Sequence, residues 1–264
     1  MADALNIART GLDISQQAID IIAQNAANAK SIAYKQRMLI TTDSFYTTLK
    51  KGGLPDATTG FSSPIPVQRG SGAKTAGVTK IMTQGPKKDT NNPLDLFIAG
   101  GGYFEVNLAN GKKGYTRVGA FRVTNTRQVV TIDQGYSLSD DITIPADLAL
   151  ADVDISETGV VTNRITGEAF AQVHIHTFLN DLGLEDIGGG IALETEASGG
   201  PTESIPGAND TVGKILQNSL EMSNVSQIEA LTGLIDAQRS YELNLKIVAA
   251  QSEIMKNTND TYSK

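Results

Sequence analysis

The stretch LTGLIDAQRSYELNLKIVAAQSEIM, residues 231–255, places Leu231, Leu234, Gln238, Tyr241, Leu245, Val248, Ser252 and Met255 on alternating steps of three and four. That spacing draws an apolar seam along one face of a helix, and such a seam must meet another helix or leave its stripe in water. Residues 5–29, LNIARTGLDISQQAIDIIAQNAANA, repeat the pattern with Leu5, Ala8, Leu12, Ser15, Ile19, Ile22, Ala26 and Ala29. Both ends of the chain therefore require helical partners, and ends of that kind point to assembly. An ordinary pair of helices packed on each other within one monomer is the plainer alternative.

The first helix is expected from Asp3, whose carboxylate suits the positive end of a helix, to about Asn28 or Lys30. Ile7, Ile14 and Ile21 run beside its seam and widen the stripe, while Asn6, Asp13, Gln17, Asp20 and Gln24 form the opposite polar face. Gly11 weakens this helix by about 1 kcal/mol against alanine unless a partner packs closely there. The second helix is expected to start at Asn224, with Glu229 in its first turn, and to run to about Asn257. Gln238 and Ser252 are polar seam positions of the kind that fix register at some loss of stability.

Between the helices the period shortens from about 3.6 to about 2, the mark of half-buried antiparallel strands. Leu94, Leu96 and Ile98 alternate with Asp95 and Phe97, Gly100 to Gly102 break the chain, and Tyr103 to Val106 resume it. Asn110 and Gly111 signal a hairpin turn. Further strands are expected at 115–117, 121–123, 129–132, 136–138, 142–144, 159–162 and 172–178. Residues 51–76 and 198–210 are rich in Gly, Pro, Ser and Thr and read as connectors to the two helices. The chain should then leave and re-enter the helical part on one side.

Composition narrows the function. With 264 residues the chain can bury a substantial core, and its formal net charge of −7 argues against a nucleic-acid groove. It has no cysteine, so neither disulfides nor thiolate metal sites arise. No stretch approaches the roughly 18 apolar residues of a membrane-spanning helix, and polar residues at 6, 9, 13, 16, 17 and 20 interrupt any apolar core of a signal peptide.

The residues for catalysis or cofactor binding are missing in pattern. The glycine runs at 100–102 and 188–190 lack the later glycine of a dinucleotide fingerprint, and no phosphate loop or nucleophile elbow occurs. His174 and His176 share a strand face that two metal ligands could use, yet no third ligand is evident, so a solvated strand face is expected. Asp152, Asp154 and Ser156 begin like a calcium loop, but Glu157 replaces its turning glycine and Asn163 its bidentate glutamate. The neighbours Asp140 and Asp141 read as a charged turn. The expectation is a protein without enzyme activity, cofactor or metal.

A family resemblance emerges from several stretches together. AQNAANAKSIAYK, residues 23–35, resembles the Asn-rich element that follows the first helix in flagellar rod and hook proteins. Glu221, Ser223, Asn224 and Val225, then Ile235, Ala237 to Glu242, Asn244 and Lys246, resemble that family's C-terminal elements. Tyr115-Thr116-Arg117, Gly119, Phe121, Ile144-Pro145 and the run from Phe178 to Pro206 agree as well, so the similarity covers nearly the whole chain. The length, the lack of a large inserted outer domain and Gln238 to Glu242 look most like the distal rod members. Ala33 and Arg127 stand where the family commonly has glycine, which removes the residue that favours a left-handed turn at each place.

The resemblance implies an α+β fold with N- and C-terminal helices in a coiled-coil-like layer (1–35 and 224–264), long β-rich connectors (36–76 and 198–223) and an antiparallel β outer domain (77–197). It implies a structural subunit of the basal-body distal rod, polymerising with itself into a straight helical tube that transmits torque and encloses the export channel. A proximal rod or hook-family subunit, or a non-flagellar surface binding module, is the alternative. The residues from Thr47 to Gly70 would be the segment that keeps the rod straight where the hook is bent. The implied partners are proximal rod proteins, the hook protein, the surrounding ring proteins and the flagellar export apparatus, with neither nucleic acid nor membrane insertion. Such a rod crosses the periplasm toward the outer membrane, and export through that apparatus uses no cleaved signal peptide. The expected assembly interface is Leu5, Leu12, Ile19, Ile22, Asn25, Asn28, Leu231, Leu234, Gln238, Tyr241, Leu245 and Val248. Gln24, Asn25, Asn28, Gln227, Asn244 and Gln251 are expected to line or approach a hydrophilic channel.

Overall fold

The computed structural model describes residues 2–51, 65–140, 142–209 and 212–262. Two compact units emerge, one of residues 1–27, 37–79 and 226–264, the other of residues 28–36 and 80–225. Most of the segment from Thr47 to Gly70 and the residue Asp141 lie outside the described residues, as does the side chain of Asp3.

The first unit is built on helices α1 (Ala2–Ala27) and α2 (Gln227–Tyr262), which pack against each other. They run antiparallel, since Gly11 of α1 abuts Asn244 while Ile22 abuts Gly233. The start of α2 lies later than the sequence suggests. The Ser226 hydroxyl accepts the Glu229 N–H at 3.4 Å and its carbonyl accepts the Ala230 N–H at 3.0 Å, so Ser226 is the cap and Asn224 is free for another task. Strand Arg37–Asp43 packs on α1 and pairs with Ala73–Lys80, while Tyr46–Lys50 pairs antiparallel with Val67–Gly70. These four strands fill much of the region expected to be an extended connector.

The second unit is antiparallel β. Its largest sheet runs, in spatial order, Glu185–Gly188, Ile191–Leu193, Lys113–Thr116, Phe104–Asn107, Ser137–Leu138, Val129–Thr131 and Phe121–Val123. The expected hairpin is present, with Phe104–Asn107 facing Lys113–Thr116 across a turn in which Gly111 has φ 76°. Phe104 and Phe121 meet edge to face at 5.3 Å in a core that includes Leu96, Ile98, Ile144, Val161 and Ile175. Burying a side chain such as Phe104 contributes about 1.5–3 kcal/mol, so the core gathers most of its stability here.

Several strands differ from expectation for identifiable reasons. Asp95 and Phe97 do not alternate outward, because strand Leu96–Ala99 is covered on both faces and both residues are buried with it. Ile142 and Ile144 point into the core as their spacing suggests, yet only Thr143 forms a ladder bridge, to Gln128, before Pro145 ends the run. Residues 172–178 divide between strands Ala169–Gln172 and Ile175–Thr177. The stretch 198–223, read as a connector, contributes Thr202–Ser204, Lys214–Gln217 and Ser219–Glu221 to the β-body, the second of them paired with Leu96–Ala99. The path into the β-body and the path out of it do lie side by side, with Ile32 bridged antiparallel to Met222 and the Ala33 N–H bonded to the Glu221 carbonyl at 2.9 Å.

Candidate functional site

Helix α2 meets α1 through small side chains. The shielded line along α2 runs Ala230, Leu234, Ala237, Tyr241, Asn244, Val248, Gln251 and Met255, a four-three repeat. The facing line on α1 is centred on Ala8, Gly11, Ser15, Ala18 and Ile22. Asn244 lies over Gly11 and donates from Nδ2 to Ser15 Oγ at 3.4 Å. A methyl group at Gly11 would stand 3.0 Å from that amide, so the glycine lets the two backbones approach.

Several larger apolar residues flank this seam or turn away from it, while others sit on it. Of the expected interface residues, Leu234, Tyr241 and Val248 sit on the seam, half-buried, and Ile22 does so on α1. Leu5, Leu12 and Ile19 are half-buried at its edge. Leu231, Gln238 and Leu245 stand one residue beyond the seam and are exposed, Leu231 at 59 % and Leu245 at 43 %. Ile228 and Ile235 continue the exposed line at 78 % and 50 %. On α1 the seam is mostly small residues, Ala8, Gly11, Ser15 and Ala18, which leave room for Leu234, Tyr241 and Val248 of α2, and the exposed leucines and isoleucines of α2 form a separate stripe.

Two of the asparagines expected at a channel have other partners. Asn25 is buried and bonds the backbone of Arg37 twice, accepting its N–H at 2.9 Å and donating to its carbonyl at 2.7 Å. It thereby fixes the beginning of strand Arg37–Asp43 to α1. Asn244 belongs to the helix seam. Asn28 accepts the Ser31 hydroxyl at 3.0 Å, while Gln24 and Gln227 are exposed and Gln251 is half-buried.

Within the β-body, a buried carboxylate gathers residues from four parts of the sequence. Glu221 is 1 % exposed, and Lys35 Nζ donates to its Oε1 at 2.6 Å while Arg117 Nε donates to Oε2 at 3.0 Å. The Gly85 N–H adds a bond to Oε1 at 3.0 Å. Arg117 also donates to the carbonyls of Gly100 and Gly102, at 2.7 and 3.2 Å. Those two glycines have φ 124° and 126°, a backbone curl closed to other residues, and it turns their oxygens toward the guanidinium. Burial by itself would raise the Glu221 pKa, but Arg117 and Lys35 outweigh it and hold the carboxyl below the usual range. Burial also lowers the Lys35 pKa, only partly offset by Glu221. Asn224 completes this clamp. Its side chain accepts the Gln36 N–H at 2.7 Å and donates to the carbonyls of Ile81 and Thr83 at 2.8 and 3.1 Å.

In sequence, Glu221, Arg117 and Lys35 stand only within stretches that resemble the family, and Asn224 as the expected start of the second helix. The available signal was charge placed beside apolar strands, with no neighbour in sequence to neutralise it. The other stretches weighed for metal binding lie in hairpins and strand ends. Val153–Ile155 and Val160–Asn163 form a hairpin, and the Ser156 hydroxyl accepts the Val160 N–H at 3.1 Å within its turn. His176 is buried beside Tyr115 and Glu105, whereas His174 lies further out against Asp140. The void in the core is lined by Leu94, Phe121, Leu138 and other apolar side chains only, which offers nothing to orient a substrate. No helix of the described chain is long and apolar enough to cross a membrane.

Comparison with known proteins agrees with this picture. Residues 97–163 match the family model of the flagellar hook protein FlgE/F/G D1 domain, and residues 216–261 match that of the flagellar basal body rod FlgEFG protein C-terminal region. The first match contains Arg117 and the second contains Glu221, Asn224 and all but the last residue of α2. The chain is similar to the flagellar basal-body rod protein FlgG of Caulobacter vibrioides, at 36 % identity across 98 % of this chain and 99 % of the relative. It is likewise similar to the proteins of that name from Agrobacterium fabrum, at 37 % identity over 95 % and 96 % of the two chains, and from Borreliella burgdorferi, at 34 % over 97 % of each.

Proposed function

Because this chain belongs to the flagellar basal-body rod protein family, as a structural subunit of the distal rod and not an enzyme, we propose that its copies stack through their terminal helices into a straight helical tube. In this reading α1 and α2 form coiled-coil-like inner layers, the β-body lies outside, and the tube transmits torque from motor to hook around the export channel. Proximal rod proteins, the hook protein, the surrounding rings and the export apparatus are its neighbours, along a path through the periplasm toward the outer membrane. The segment from Thr47 to Gly70 stiffens the tube.

One observation carries the reading. The α1–α2 seam closes within one chain, while Ile228, Leu231, Ile235 and Leu245 remain exposed on a line of helical spacing. An exposed stripe of that kind gains about 25 cal/mol per Å² when a sister chain covers it, and a contact that does not close on itself propagates into a filament. Sedimentation across a concentration series tests this with Leu231→Asp. The variant should keep the monomer's circular dichroism and remain monomeric where the parent polymerises. Polymerisation equal to the parent's overturns the proposal.

A further inference from the structure

Three residues remote in sequence converge at one place on the β-body. Asp140 follows strand Ser137–Leu138, His174 precedes strand Ile175–Thr177, and Glu203 is the middle residue of Thr202–Ser204. The last two strands pair antiparallel with His176 opposite Glu203, so His174, just before the first of them, lies near Glu203 of the second. One potential ligand atom from each of the three residues lies within 4.8 Å of the other two. His174 Nδ1 is 2.8 Å from Asp140 Oδ1 and 3.5 Å from Glu203 Oε1.

We propose that Asp140, His174 and Glu203 form a binding site for one divalent transition-metal cation of the Zn2+ class. An imidazole nitrogen with two carboxylate oxygens is a donor set suited to such a cation, and three protein ligands leave a further position for water. With bonds of the usual length, tetrahedral ligand atoms stand roughly 3.3 Å apart, between the two separations seen at His174. The arrangement is also partly fixed beforehand, since Asp140 Oδ2 accepts the His174 backbone N–H at 2.9 Å and holds the carboxylate toward the ring. Among the described residues, the ion pairs of Asp140 and Glu203 both end on His174. The nearby ammonium of Lys113 is engaged by Glu105 at 2.5 Å. One imidazole can balance at most one of the two carboxylates, whereas a divalent cation balances both. His176 takes no part, because it faces inward to Glu105 and Tyr115. The ligand pair suggested by sequence is thus replaced by one histidine and two acids from elsewhere in the chain.

The test is calorimetric titration of the dilute, chelator-treated full-length protein with Zn2+, paired with thermal unfolding at rising free Zn2+. One equivalent should bind and the melting temperature should climb with free cation, as mass action requires of a ligand held by the folded state. His174→Gln alters a partly exposed side chain and should fold as the parent does, with binding at least tenfold weaker; Asp140→Asn should do likewise. Ca2+, which favours oxygen ligands, should compete poorly. The absence of binding at about 1 mM free Zn2+, where even weak site occupancy stabilises the fold, overturns the proposal. So does a His174→Gln protein that binds with the parent's affinity, which would place the cation elsewhere.

Discussion

Lys35 Nζ lies 2.6 Å from Glu221 Oε1, a contact that joins positions 186 residues apart inside the β-body. Arg117 holds the other oxygen of the same carboxylate, so two cations depend on one buried anion. Glu221→Gln keeps the shape but leaves both cations unneutralised, and should destabilise the β-body by about 3–5 kcal/mol in urea unfolding. A loss below about 1 kcal/mol would mean that water reaches the cluster and screens it.

The same carboxylate gives acid sensitivity a defined sign. The folded-state pKa of Glu221 is held below its ordinary 4.5, so its contribution is complete above that value and fades as pH falls through the folded pKa. Lys35 acts in the opposite range. Its folded pKa lies below the ordinary 10.5, so its unfavourable burial is relieved as pH rises toward that value. Urea midpoints measured from pH 6 down to about pH 2.5 should fall less steeply in Glu221→Gln than in the parent.

Asn244 decides what an alanine at position 11 does. Alanine gains about 1 kcal/mol of helix propensity over glycine, but the new methyl would press on the Asn244 amide at 3.0 Å. Gly11→Ala alone should therefore be nearly neutral, and Gly11→Ala combined with Asn244→Ala should raise helix stability by about 1 kcal/mol over Asn244→Ala alone. Thermal melts followed by circular dichroism at 222 nm read the difference. Gly11→Leu should separate the helices altogether.

Ala33 and Arg127 share a left-handed backbone, with φ 55° and 62°, although neither is glycine. Ala33→Gly relieves that strain and keeps the N–H bond to Glu221, so it should stabilise by about 1 kcal/mol. Arg127→Gly should destabilise in the same assay, because the guanidinium bonds the carbonyls of Pro145 at 2.8 Å and Leu148 at 3.0 Å.

The two units should differ in hydrogen exchange in a dilute monomer. Most seam residues of α2 are only half-buried, whereas strands Leu96–Ala99 and Phe104–Asn107 are almost fully buried, so α1 and α2 should exchange far faster than those strands. Polymer formation should slow the helices and leave the strands unchanged. Equal protection in the monomer would show that the helix pair stands without neighbours.

Sequence periodicity located both helices within a few residues and half of each seam. Ala8, Ser15, Ile22, Leu234, Tyr241 and Val248 follow from the spacing, whereas the packing of α1 on α2 uses Gly11, Ala230 and Asn244 beside the predicted Leu12, Leu231 and Leu245. Hydropathy rewards the larger side chain, but close helices select the smaller, and that choice depends on a partner the pattern does not contain. Among the strands, Phe121–Val123 was plain from its alternation, while Lys214–Gln217 was hidden in a turn-rich composition because its burial comes from pairing with residues over a hundred positions earlier. The Glu221 clamp and the Asp140–His174–Glu203 cluster were opaque for the same reason. Their members meet only after the sheet has closed.

The bridge between Ile32 and Met222 has an evolutionary consequence. It sets the strand that enters the second compact unit (residues 28–36 and 80–225) beside the strand that leaves it, about 5 Å apart. Insertions in the turns of that unit leave this pairing untouched, so loop lengths there can vary while the spacing of the two crossing strands stays constant.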